Sequence, residues 1–379
     1  MKVAYFTRYI PHYRKEVLEE ISRQLDGNFT VYAFFNQKHA GKILKSEDVN
    51  IKYKNNKTKK IKLPFVDKYL FFNFLSTAKI IKNEYDIYLF SGLKTDITVW
   101  LNLLIGHLFN RKNCIWGHLK YKSKIEYYFR KVMLNLANAA IFYDDNTKQM
   151  WINKGIKKEK LFVAPNTINT KEIFCIKKSI DLKKYEKFVK EKKLSGRNNV
   201  IFSARLQKRR KINTLIDSIG IVKSKIPNIH LWIIGNGPEY NEIKKYIKIK
   251  KLTKYITLVG ALYNEEILAY YFLSSKVAAI PGSVGLFVHH AFAYGLPLII
   301  GDNFKLHGPE ADFVKNNETG LICSFDKPNE FADAIIKIIS NSNFRNALST
   351  NALNVIKYRH NVESMASGFM NAFNFLFKE

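Results

Sequence analysis

The sequence has little cysteine and no long apolar run. Its three cysteines, Cys114, Cys175 and Cys323, are odd in number and widely spaced in a chain of 379 residues. This argues against a disulfide framework and a thiolate zinc site, and it fits a reducing compartment. No stretch reaches the roughly 18 apolar residues that would span a bilayer, since the closest, Val99 to Phe109, is interrupted by polar side chains. A predicted strand begins at Val3 and leaves no room for a signal peptide, so we expect a cytoplasmic chain.

Acidic residues are also scarce. The chain has 32 Asp and Glu against 62 Lys and Arg, which gives a net charge of +30. Its field should attract anions such as nucleotides, phospholipid head groups, diphosphate-linked lipids or nucleic acid. A compositional bias explains the charge equally well, because Lys, Ile, Asn, Tyr and Phe are abundant together. No helix-turn-helix, zinc or stacking-platform motif accompanies the charge, so we expect no specific nucleic-acid binding.

What the sequence does have is a regular alternation of apolar strand patterns with helical patterns. Six predicted strands lie between residues 3 and 164, and the same rhythm restarts with six more between 199 and 322. Such alternation is typical of parallel sheets covered by helices. We predict two doubly wound α/β domains, at residues 1–170 and 198–360, joined by a lysine-rich linker at 171–197. A final helix at 361–379 is rich in Phe and Met, and the first domain is a candidate surface to bury it.

One strand-helix-strand unit in the second domain is the best candidate for a binding site. Its first strand ends at Ile280, a Pro281-Gly282 turn follows, and a helix is predicted from about Val284 to Tyr294. In a parallel unit the N-terminus of the helix lies above the carboxyl end of the strand. Its unpaired N–H groups and positive dipole end favour an anion there, and a diphosphate suits the position.

The motifs of the second domain occur in a recognisable order. They are SARLQKRRKINTLIDS at 203–218, IIGNGPE at 233–239, LVGAL at 258–262, PGSVGLFVHHAFAYGLP at 281–297 and the stretch from HGPE to ETGLI at 307–322. Single pieces are weak signals, but the series resembles the retaining GT-B glycosyltransferases, in particular the family-four group. The resemblance covers most of residues 200–339 by motif and the N-terminal half by layout. It implies an α/β fold of the GT-B type, with two Rossmann-like domains facing across a cleft.

In that family an Arg-Leu pair, followed by a Lys five positions after the Arg, supplies cations to the donor diphosphate. Here the Arg is Arg205, and the Lys position holds Arg210. An Arg keeps the charge and adds a forked set of donors that suits phosphate oxygens. A solvated basic loop is the alternative reading of QKRRK. The resemblance therefore implies catalytic roles for Arg205 and Arg210.

Two glycine-containing turns are expected to line the donor site. Gly235 and Gly237 follow an apolar strand, where glycine allows close approach of the backbone to a ligand or simply a tight turn. Ala261 ends the next strand, where the resemblance implies backbone contacts with the nucleobase. After the Pro281 turn, the resemblance adds Val284, Gly285 and Leu286 to the donor-binding residues.

The sequence departs from the family at its signature, two glutamates separated by seven residues. Aligned on the Gly-Leu pair, the first position holds Gly282 and the second holds His290. The second glutamate normally accepts hydrogen bonds from the donor ribose, a task that a neutral imidazole could share. Either the chain is a variant that orders its donor by other groups, which we favour, or catalysis is lost. His289 is expected to be a packed residue, because adjacent helix positions point about 100° apart.

The resemblance also implies roles for Glu310 and His118, whereas the loop after the first strand lacks the usual glycine pair of the family. Glu310 matches an acidic residue that holds donor-sugar or ribose hydroxyls. His118, after a predicted strand, matches an N-domain histidine that positions the donor sugar, although a buried capping histidine is equally compatible. Arg8, His12 and Arg14 follow the first strand, and we assign them to the acceptor side, with an exposed basic helix start as the alternative.

The resemblance implies transfer of a sugar from a nucleotide-diphosphate donor with retention. The leaving diphosphate takes the acceptor proton, so the protein mainly stabilises developing charge. No cofactor or metal is expected, and the lack of an Asp-x-Asp motif agrees. The expected acceptor is a glycan or a polyprenyl-diphosphate-linked lipid, in surface polysaccharide or glycolipid synthesis. The segment Lys122 to Arg130 mixes cations and aromatics, which favours contact with an anionic membrane surface and a peripheral location on its inner face; an amphipathic core helix is the alternative.

Two other functions remain open at this point. An inverting GT-B transferase or an epimerase would need a general base, for which only His12 and His118 are candidates. A noncatalytic subunit that binds nucleotide sugars is suggested by Gly282 and His290, because neither carries a carboxylate.

Overall fold

A computed structural model describes residues 1–33, 48–55, 59–62, 69–93, 95–121 and 123–378. The chain divides into two compact units, one formed by Met1–Ile168 with Val362–Glu379 and the other by Asn169–Asn361. We call them unit 1 and unit 2. Each is built on a parallel sheet with helices, so the predicted α/β class with two Rossmann-like sheets is confirmed. Two predicted segments extend beyond the described residues. Phe34 is the last residue of the strand predicted from Phe29, and Lys122 is the first residue of the segment Lys122 to Arg130; both lie outside the described residues.

The elements are numbered in chain order. The strands are β1 (Val3–Phe6), β2 (Phe29–Ala33), β3 (Lys52–Asn55), β4 (Lys59–Lys62), β5 (Tyr69–Phe72), β6 (Ile87–Ser91), β7 (Asn113–Trp116), β8 (Ala139–Phe142), β9 (Leu161–Val163), β10 (Asn198–Ser203), β11 (Ile229–Ile234), β12 (Ile256–Gly260), β13 (Ser275–Ile280), β14 (Leu298–Gly301) and β15 (Gly320–Cys323). The α-helices are α1 (Lys15–Gln24), α2 (Phe74–Ile81), α3 (Ile97–Leu108), α4 (Lys124–Leu136), α5 (Asp145–Ile152), α6 (Thr170–Lys178), α7 (Leu182–Glu191), α8 (Ile212–Lys225), α9 (Tyr240–Ile249), α10 (Glu265–Leu273), α11 (Phe287–Ala293), α12 (Pro328–Ser340), α13 (Ser342–Tyr358) and α14 (Val362–Lys378).

The sheet of unit 1 has seven parallel strands in the order β3-β2-β1-β6-β7-β8-β9. Its central strands are buried on both faces, as expected for a parallel sheet covered by helices. The order reverses between β1 and β6, so the loops after these two strands diverge and leave a crevice at the carboxyl edge. A separate antiparallel pair, β4 with β5, lies outside this sheet.

Helix α14 completes unit 1 although it follows unit 2 in the chain. Its side chains Met365, Phe369 and Phe373 are fully buried in one core with α1 and the central strands. The helix backbone lies so close to β9 that a Cβ on Gly368 would stand 2.2 Å from the carbonyl oxygen of Val163. The segment expected to need an apolar surface therefore has one in unit 1.

The sheet of unit 2 has six parallel strands in the order β12-β11-β10-β13-β14-β15. Its reversal falls between β10 and β13, which pair in parallel with Val200 opposite Val277. Residues 171–197, which the sequence suggested as a linker, carry most of α6 and all of α7 and belong to unit 2. Two aromatic contacts tie α7 to α10, because the ring of Phe188 packs on Tyr270 and Tyr271.

Two local features differ from the sequence expectation. Strand β3 is rich in lysine and has no apolar run, and it lies at the sheet edge, where charged side chains are tolerated. Helix α11 begins at Phe287 rather than near Val284, because the preceding residues form a loop bonded to its neighbours. Among the helices described, none combines the length and the hydropathy that a bilayer crossing requires.

Candidate functional site

The loops at the sheet reversal of unit 2 bring the expected donor residues together. The loop after β10 carries Arg205 and Arg210, and the loop after β13 carries Gly282 to Leu286. Because β10 and β13 are neighbours in a parallel sheet, both loops lie at the same carboxyl edge. This is the position at which open α/β sheets bind ligands.

Hydrogen bonds join the loop after β13 to the loop after β10. The N–H groups of Gly282 and Ser283 donate to the carbonyl oxygens of Arg210 and Arg209, at 2.9 and 2.8 Å. The N–H of Val284 donates to Nδ1 of His307 at 3.0 Å. Three backbone donors that the sequence offered to a diphosphate are therefore used inside the unit. Of the expected donor-binding residues in this loop, Gly282 and Val284 are buried, whereas Gly285 and Leu286 are partly exposed.

His307 fixes the position of this loop. Its Nε2 lies 2.7 Å from the carbonyl oxygen of Gly301 at the end of β14, while its Nδ1 accepts from Val284. A ring that accepts at Nδ1 and donates at Nε2 is neutral. The N–H of Gly308 then donates to the carbonyl oxygen of Val284 at 2.8 Å. The loops after β13 and β14 thus form one hydrogen-bonded rim.

Arg210 is the cation of the QKRRK run that turns into this rim. Its Nη1 donates to the carbonyl oxygen of Ser283, and its buried Nε has no hydrogen-bond partner among the described residues. Desolvation, followed by the positive charge of Arg209, lowers the pKa of Arg210 to about 10, while the Glu310 carboxylate opposes the shift. The guanidinium is therefore a charged, partly desolvated group with a donor to spare, and an anion would stabilise it.

Arg205 lies in the same loop and is exposed. No hydrogen bond or ion pair holds it within the part of the chain that the structure describes. Two other cations of the run have contacts elsewhere, since Arg209 donates from Nε to Gln207 and Lys211 lies over the ring of Phe325, while Lys208 is exposed. Arg210 is thus the cation of the run that is bonded to the rim, and Arg205 is an exposed cation in the same loop.

The glycines after β11 pack against the arginine loop rather than into open space. A Cβ on Gly235 would lie 2.0 Å from the carbonyl oxygen of Ala204, and one on Gly237 would lie 2.2 Å from that of Leu206. Gly235 also has a φ of 141°, in the region that favours glycine. Both glycines therefore position the loop that carries Arg205. Ala261 lies beyond β12 and is exposed, in a segment anchored by the N–H of Gly235 donating to the carbonyl oxygen of Gly260.

Gly282 has no room for a side chain. A Cβ there would stand 2.1 Å from the carbonyl oxygen of Arg209 and 2.5 Å from the carbonyl carbon of Arg210. The close approach of these two backbones thus accounts for glycine at this position. A carboxylate cannot occupy it without displacing the arginine loop.

Glu310 is the buried carboxylate of the site, with only 3% of its surface exposed. Its Oε2 lies 3.8 Å from where a Cβ of Gly285 would be and 2.4 Å from that of Gly308. Gly308 therefore makes room for the carboxylate at the rim, whereas the distance at Gly285 is an ordinary van der Waals contact. Its negative charge favours the protonated form of Arg210.

His290 lies on α11 and is paired with a residue that the sequence analysis did not identify. Its Nε2 is 3.5 Å from Oε2 of Glu265, at the start of α10. The two positions are 25 residues apart on different helices, so no sequence pattern signals the pair. His289 is fully buried and packs edge-on against Phe313, in agreement with its expected structural role.

The four expected residues of unit 1 have different surroundings. Arg8 donates from Nη2 to Thr95 at 2.6 Å and its guanidinium stacks on the ring of Phe71 at 3.7 Å. His12 is exposed in a 3-10 turn before α1. Arg8 and His12 therefore lie at the surface or near it, after β1.

Arg14 is placed differently, because its side chain is buried in unit 1. It donates to Oδ1 of Asn166 and to the sulfur of Met365 on α14, and it lies beside the rings of Trp116 and Tyr143. This engagement argues against the expected acceptor-side role. The residue instead attaches α14 to the sheet.

His118 follows β7, and its ring packs on Tyr143 with centroids 4.8 Å apart. The residue is exposed, and the contact with Tyr143 covers part of its ring. Desolvation, followed by the positive charge of Lys120, lowers the pKa of His118 to about 4. The imidazole is therefore neutral near pH 7 and can accept a hydrogen bond. Within the described residues, no group of three or more His, Cys, Asp or Glu side chains is placed to hold a metal ion.

Solved structures define the class of the fold. The structure of the Anabaena protein HepE in complex with UDP is 14% identical, covers 99% of this chain and 100% of that chain, and superposes with a TM-score of 0.75. At this identity the likeness concerns the fold, which is GT-B. Residues 183–355 match the family of glycosyl transferases group 1. The chain thus has a GT-B fold, and a segment of its second unit is similar to the group 1 glycosyl transferases.

Two curated relatives match shorter segments. An alpha-monoglucosyldiacylglycerol synthase from Acholeplasma laidlawii is 30% identical over 197 residues, which cover 50% of this chain and 46% of that protein. A GDP-mannose-dependent alpha-(1-6)-phosphatidylinositol monomannoside mannosyltransferase from Mycobacterium tuberculosis is 24% identical over 160 residues, or 40% of each chain. The chain thus spans less than half the length of these relatives.

Proposed function

We propose that the protein transfers a sugar, with retention, from a nucleotide-diphosphate donor to a lipid-linked or glycan acceptor. The observation that carries this proposal is the position of Arg210. A partly desolvated guanidinium with an unpartnered Nε lies at the sheet reversal of unit 2, beside the exposed Arg205. Two cations a few residues apart at this edge suit the two phosphates of a nucleoside diphosphate.

The proposed role of the two arginines is to stabilise charge on the leaving group. As the bond from the sugar to the diphosphate breaks, negative charge grows on the phosphate oxygens. Groups that are already in place for this charge lower the barrier more than groups that bind the ground state equally well. Arg210 is held by Ser283, and its loop is held by Gly282, so little reorganisation is needed.

The proposed ribose contact is the Glu265–His290 pair. His290 occupies the position of the second signature glutamate, and Glu265 brings a carboxylate within 3.5 Å of its ring. With Nε2–H directed to Glu265, Nδ1 can accept a hydrogen bond from a hydroxyl group. The carboxylate absent from position 290 would thus be replaced by one from α10.

The nature of donor and acceptor is supported by the comparisons. The similar fold of HepE binds UDP in its crystal, and the mycobacterial relative is named for GDP-mannose. Both curated relatives are named for lipid acceptors. We therefore propose a lipid-linked or membrane-presented acceptor, in glycolipid or surface polysaccharide synthesis, and a peripheral location at the membrane.

Calorimetric titration with UDP and GDP, followed by turnover with their sugar conjugates, tests the proposal. We expect one nucleotide to bind to the wild-type chain and to bind at least about tenfold more weakly to Arg210→Ala. Lys208→Ala is the matched control, because Lys208 is an exposed cation two residues away. Absence of binding by either nucleotide, or equal affinity in the Arg210→Ala variant, would contradict the proposed donor site.

A noncatalytic role as a nucleotide-sugar-binding subunit is the second candidate. The observation that favours it is the close packing at Gly282, which excludes a carboxylate from that position. It predicts nucleotide affinity without turnover across a panel of donors and lipid acceptors. Formation of a product with the same anomeric configuration as the donor would reject it and would also exclude an inverting enzyme.

A further inference from the structure

Unit 1 exposes an unusual number of large apolar side chains on three consecutive helices. In the described chain, most of the strongly exposed large hydrophobic residues lie on α2, α3 and α4 or beside them. They are Phe74, Leu75, Ile81, Leu93, Leu101, Leu104, Leu108, Phe109, Ile125, Tyr128, Phe129 and Val132. A concentration of this kind on one surface marks an interaction site.

Helices α3 and α4 are apolar on two faces. On α4 the exposed residues Ile125, Phe129 and Val132 follow helical spacing, while Met133 and Leu134 are buried in the core. On α3 the exposed residues Leu101, Leu104 and Leu108 form a similar stripe, opposite the buried Leu103. The inner stripes explain how the helices pack on the sheet, and the outer stripes have no such explanation.

The three helices pack against one another, and their exposed apolar side chains lie on the surface of unit 1. Trp100 on α3 and Phe129 on α4 are in edge-to-face contact with ring centroids 5.7 Å apart. Asn102 on α3 accepts from Thr77 on α2 at 2.7 Å. We call this surface the α2–α3–α4 face.

Positive charge accompanies the apolar side chains. Residues 74–136 contain ten Lys and Arg against four Asp and Glu. Exposed or partly exposed lysines on the helices and beside them include Lys82, Lys124 and Lys131. An apolar surface with cations beside it suits a bilayer whose head groups are anionic, because aliphatic side chains enter the interface and lysines stay near the phosphates. A second copy of the chain would bring like charges together and is disfavoured.

We propose that the α2–α3–α4 face docks unit 1 on an anionic lipid bilayer. This inference rests on the proposed function in one respect, the benefit of docking. Docking would place the enzyme next to a membrane-presented acceptor. The docking itself follows from exposed side chains and charge in unit 1 alone. The donor site lies in unit 2, so the two properties can be measured separately.

Flotation of the full chain with vesicles tests the docking. We expect binding to vesicles of equal parts phosphatidylglycerol and phosphatidylcholine, and little binding to phosphatidylcholine alone. The variant Leu104→Ser/Ile125→Ser/Phe129→Ser should bind at least about tenfold more weakly, since three interfacial apolar side chains are removed. The matched control is Leu182→Ser/Ile249→Ser/Tyr358→Ser, which removes three exposed apolar side chains of unit 2 and should bind like the wild type.

A second variant, Lys82→Gln/Lys124→Gln/Lys131→Gln, leaves the apolar side chains in place. It should also lose affinity for the anionic vesicles by at least about tenfold, because lysines near the surface attract the anionic head groups. Equal vesicle binding by the wild type and both variants would overturn the proposal. It would also be overturned if the serine variant kept its vesicle binding and instead lost a dimer that the wild type forms, because the face would then bind a second copy of the chain. Nucleotide affinity, measured in parallel, should be the same in all variants. Its absence in the wild type would contradict the proposed function and leave the docking result standing.

Discussion

At the scale of single residues, Arg210 shows how burial selects one cation from a basic run. Four of the five residues in QKRRK are cations, and among them Arg210 has a pKa lowered by desolvation and a buried Nε with no hydrogen-bond partner in the part of the chain that the structure describes. The sequence motif predicted Arg205 and Arg210 as the candidates. The geometry adds the reason why Arg210 differs from its neighbours in the run, because partial burial and the bond to Ser283 fix its side chain at the rim.

Substitutions at the two arginines should distinguish the effect of their positive charge on turnover from the effect of the guanidinium shape. Arg205→Ala and Arg210→Ala should each lower turnover by about 100-fold or more, because stabilisation of the leaving diphosphate is lost. Arg210→Lys should retain most of the activity, since the family that the sequence resembles has Lys at this position. Steady-state kinetics with the preferred donor provide the measurement, and circular dichroism checks the fold. Unchanged turnover in Arg205→Ala would remove this residue from the site.

The Glu265–His290 pair predicts coupled effects on donor affinity. Glu265→Gln and His290→Gln should each weaken nucleotide binding, and the double variant should lose less than the sum of the two effects, because the residues act together. A double-mutant cycle on nucleotide dissociation constants measures the coupling. Exact additivity would mean that the pair does not act as a unit. Glu266→Gln serves as a control, since Glu266 on the same helix turn bonds to Tyr270.

Residue pairings of this kind are the part of the site that sequence reasoning missed. Glu265 and His290 are far apart in the chain, and Arg14 is joined to Met365 across more than 300 residues. Local patterns report neighbours along one helix or strand only. Arg14 was therefore assigned to the acceptor side, although folding buries it against α14.

At the scale of elements, buried strands were predictable and edge elements were not. The runs that form β1, β6, β10, β11 and β13 are apolar on both faces, which any parallel sheet requires. Strand β3 instead carries lysines and pairs on one side only. The start of α11 was placed too early, because hydrogen bonds from Gly282 and Val284 to other loops replace the first helical turn.

The packing of the loop after β13 predicts that a glutamate at position 282 would destabilise the fold. Gly282→Glu places a Cβ within 2.1 Å of the backbone of Arg209, so the arginine loop must move. We expect a loss of stability of about 1–3 kcal/mol, together with weaker nucleotide binding. Gly285→Ala is the matched control for stability, because its Cβ would meet nothing closer than 3.8 Å. Thermal unfolding with and without nucleotide tests both expectations, and an unchanged or stabilised Gly282→Glu variant would refute the packing argument.

At the scale of the whole molecule, unit 1 depends on a helix supplied from beyond unit 2. Gly368→Ala should destabilise unit 1 by about 1–3 kcal/mol, because its Cβ would stand 2.2 Å from the carbonyl oxygen of Val163. Gly220→Ala in α8 is the control, with its nearest contact an ordinary 3.6 Å from Leu252. Denaturant unfolding followed by tryptophan fluorescence, with nucleotide affinity as a report on unit 2, measures the effect. A Gly368→Ala variant as stable as the wild type would show that α14 can shift freely.

The lowered pKa values of two histidines predict how stability depends on pH. They are His230 in the sheet of unit 2 and His360 in the segment after α13. Desolvation lowers the pKa of His230 to about 4 and that of His360 to about 3, whereas an unfolded histidine takes up its proton near pH 6.5. Below that pH the unfolded state therefore binds more protons, and stability is lost as the pH falls.

We expect a lower denaturation midpoint at pH 5 than at pH 7, and a smaller difference in His230→Gln. The exposed His107→Gln variant serves as a control and should behave like the wild type. If His230→Gln left the pH dependence unchanged, the buried imidazole would not be its source.

The placement of α14 has a consequence for biosynthesis. Strands β1 to β9 leave the ribosome well before the helix that seals their core, since all of unit 2 is translated in between. The nascent amino-terminal sheet must therefore wait with an open apolar groove while nearly two hundred further residues are made. We expect chaperones to bind stalled chains that end before Val362, because their apolar groove is open. Binding should be lost in released chains that include α14 up to Lys378.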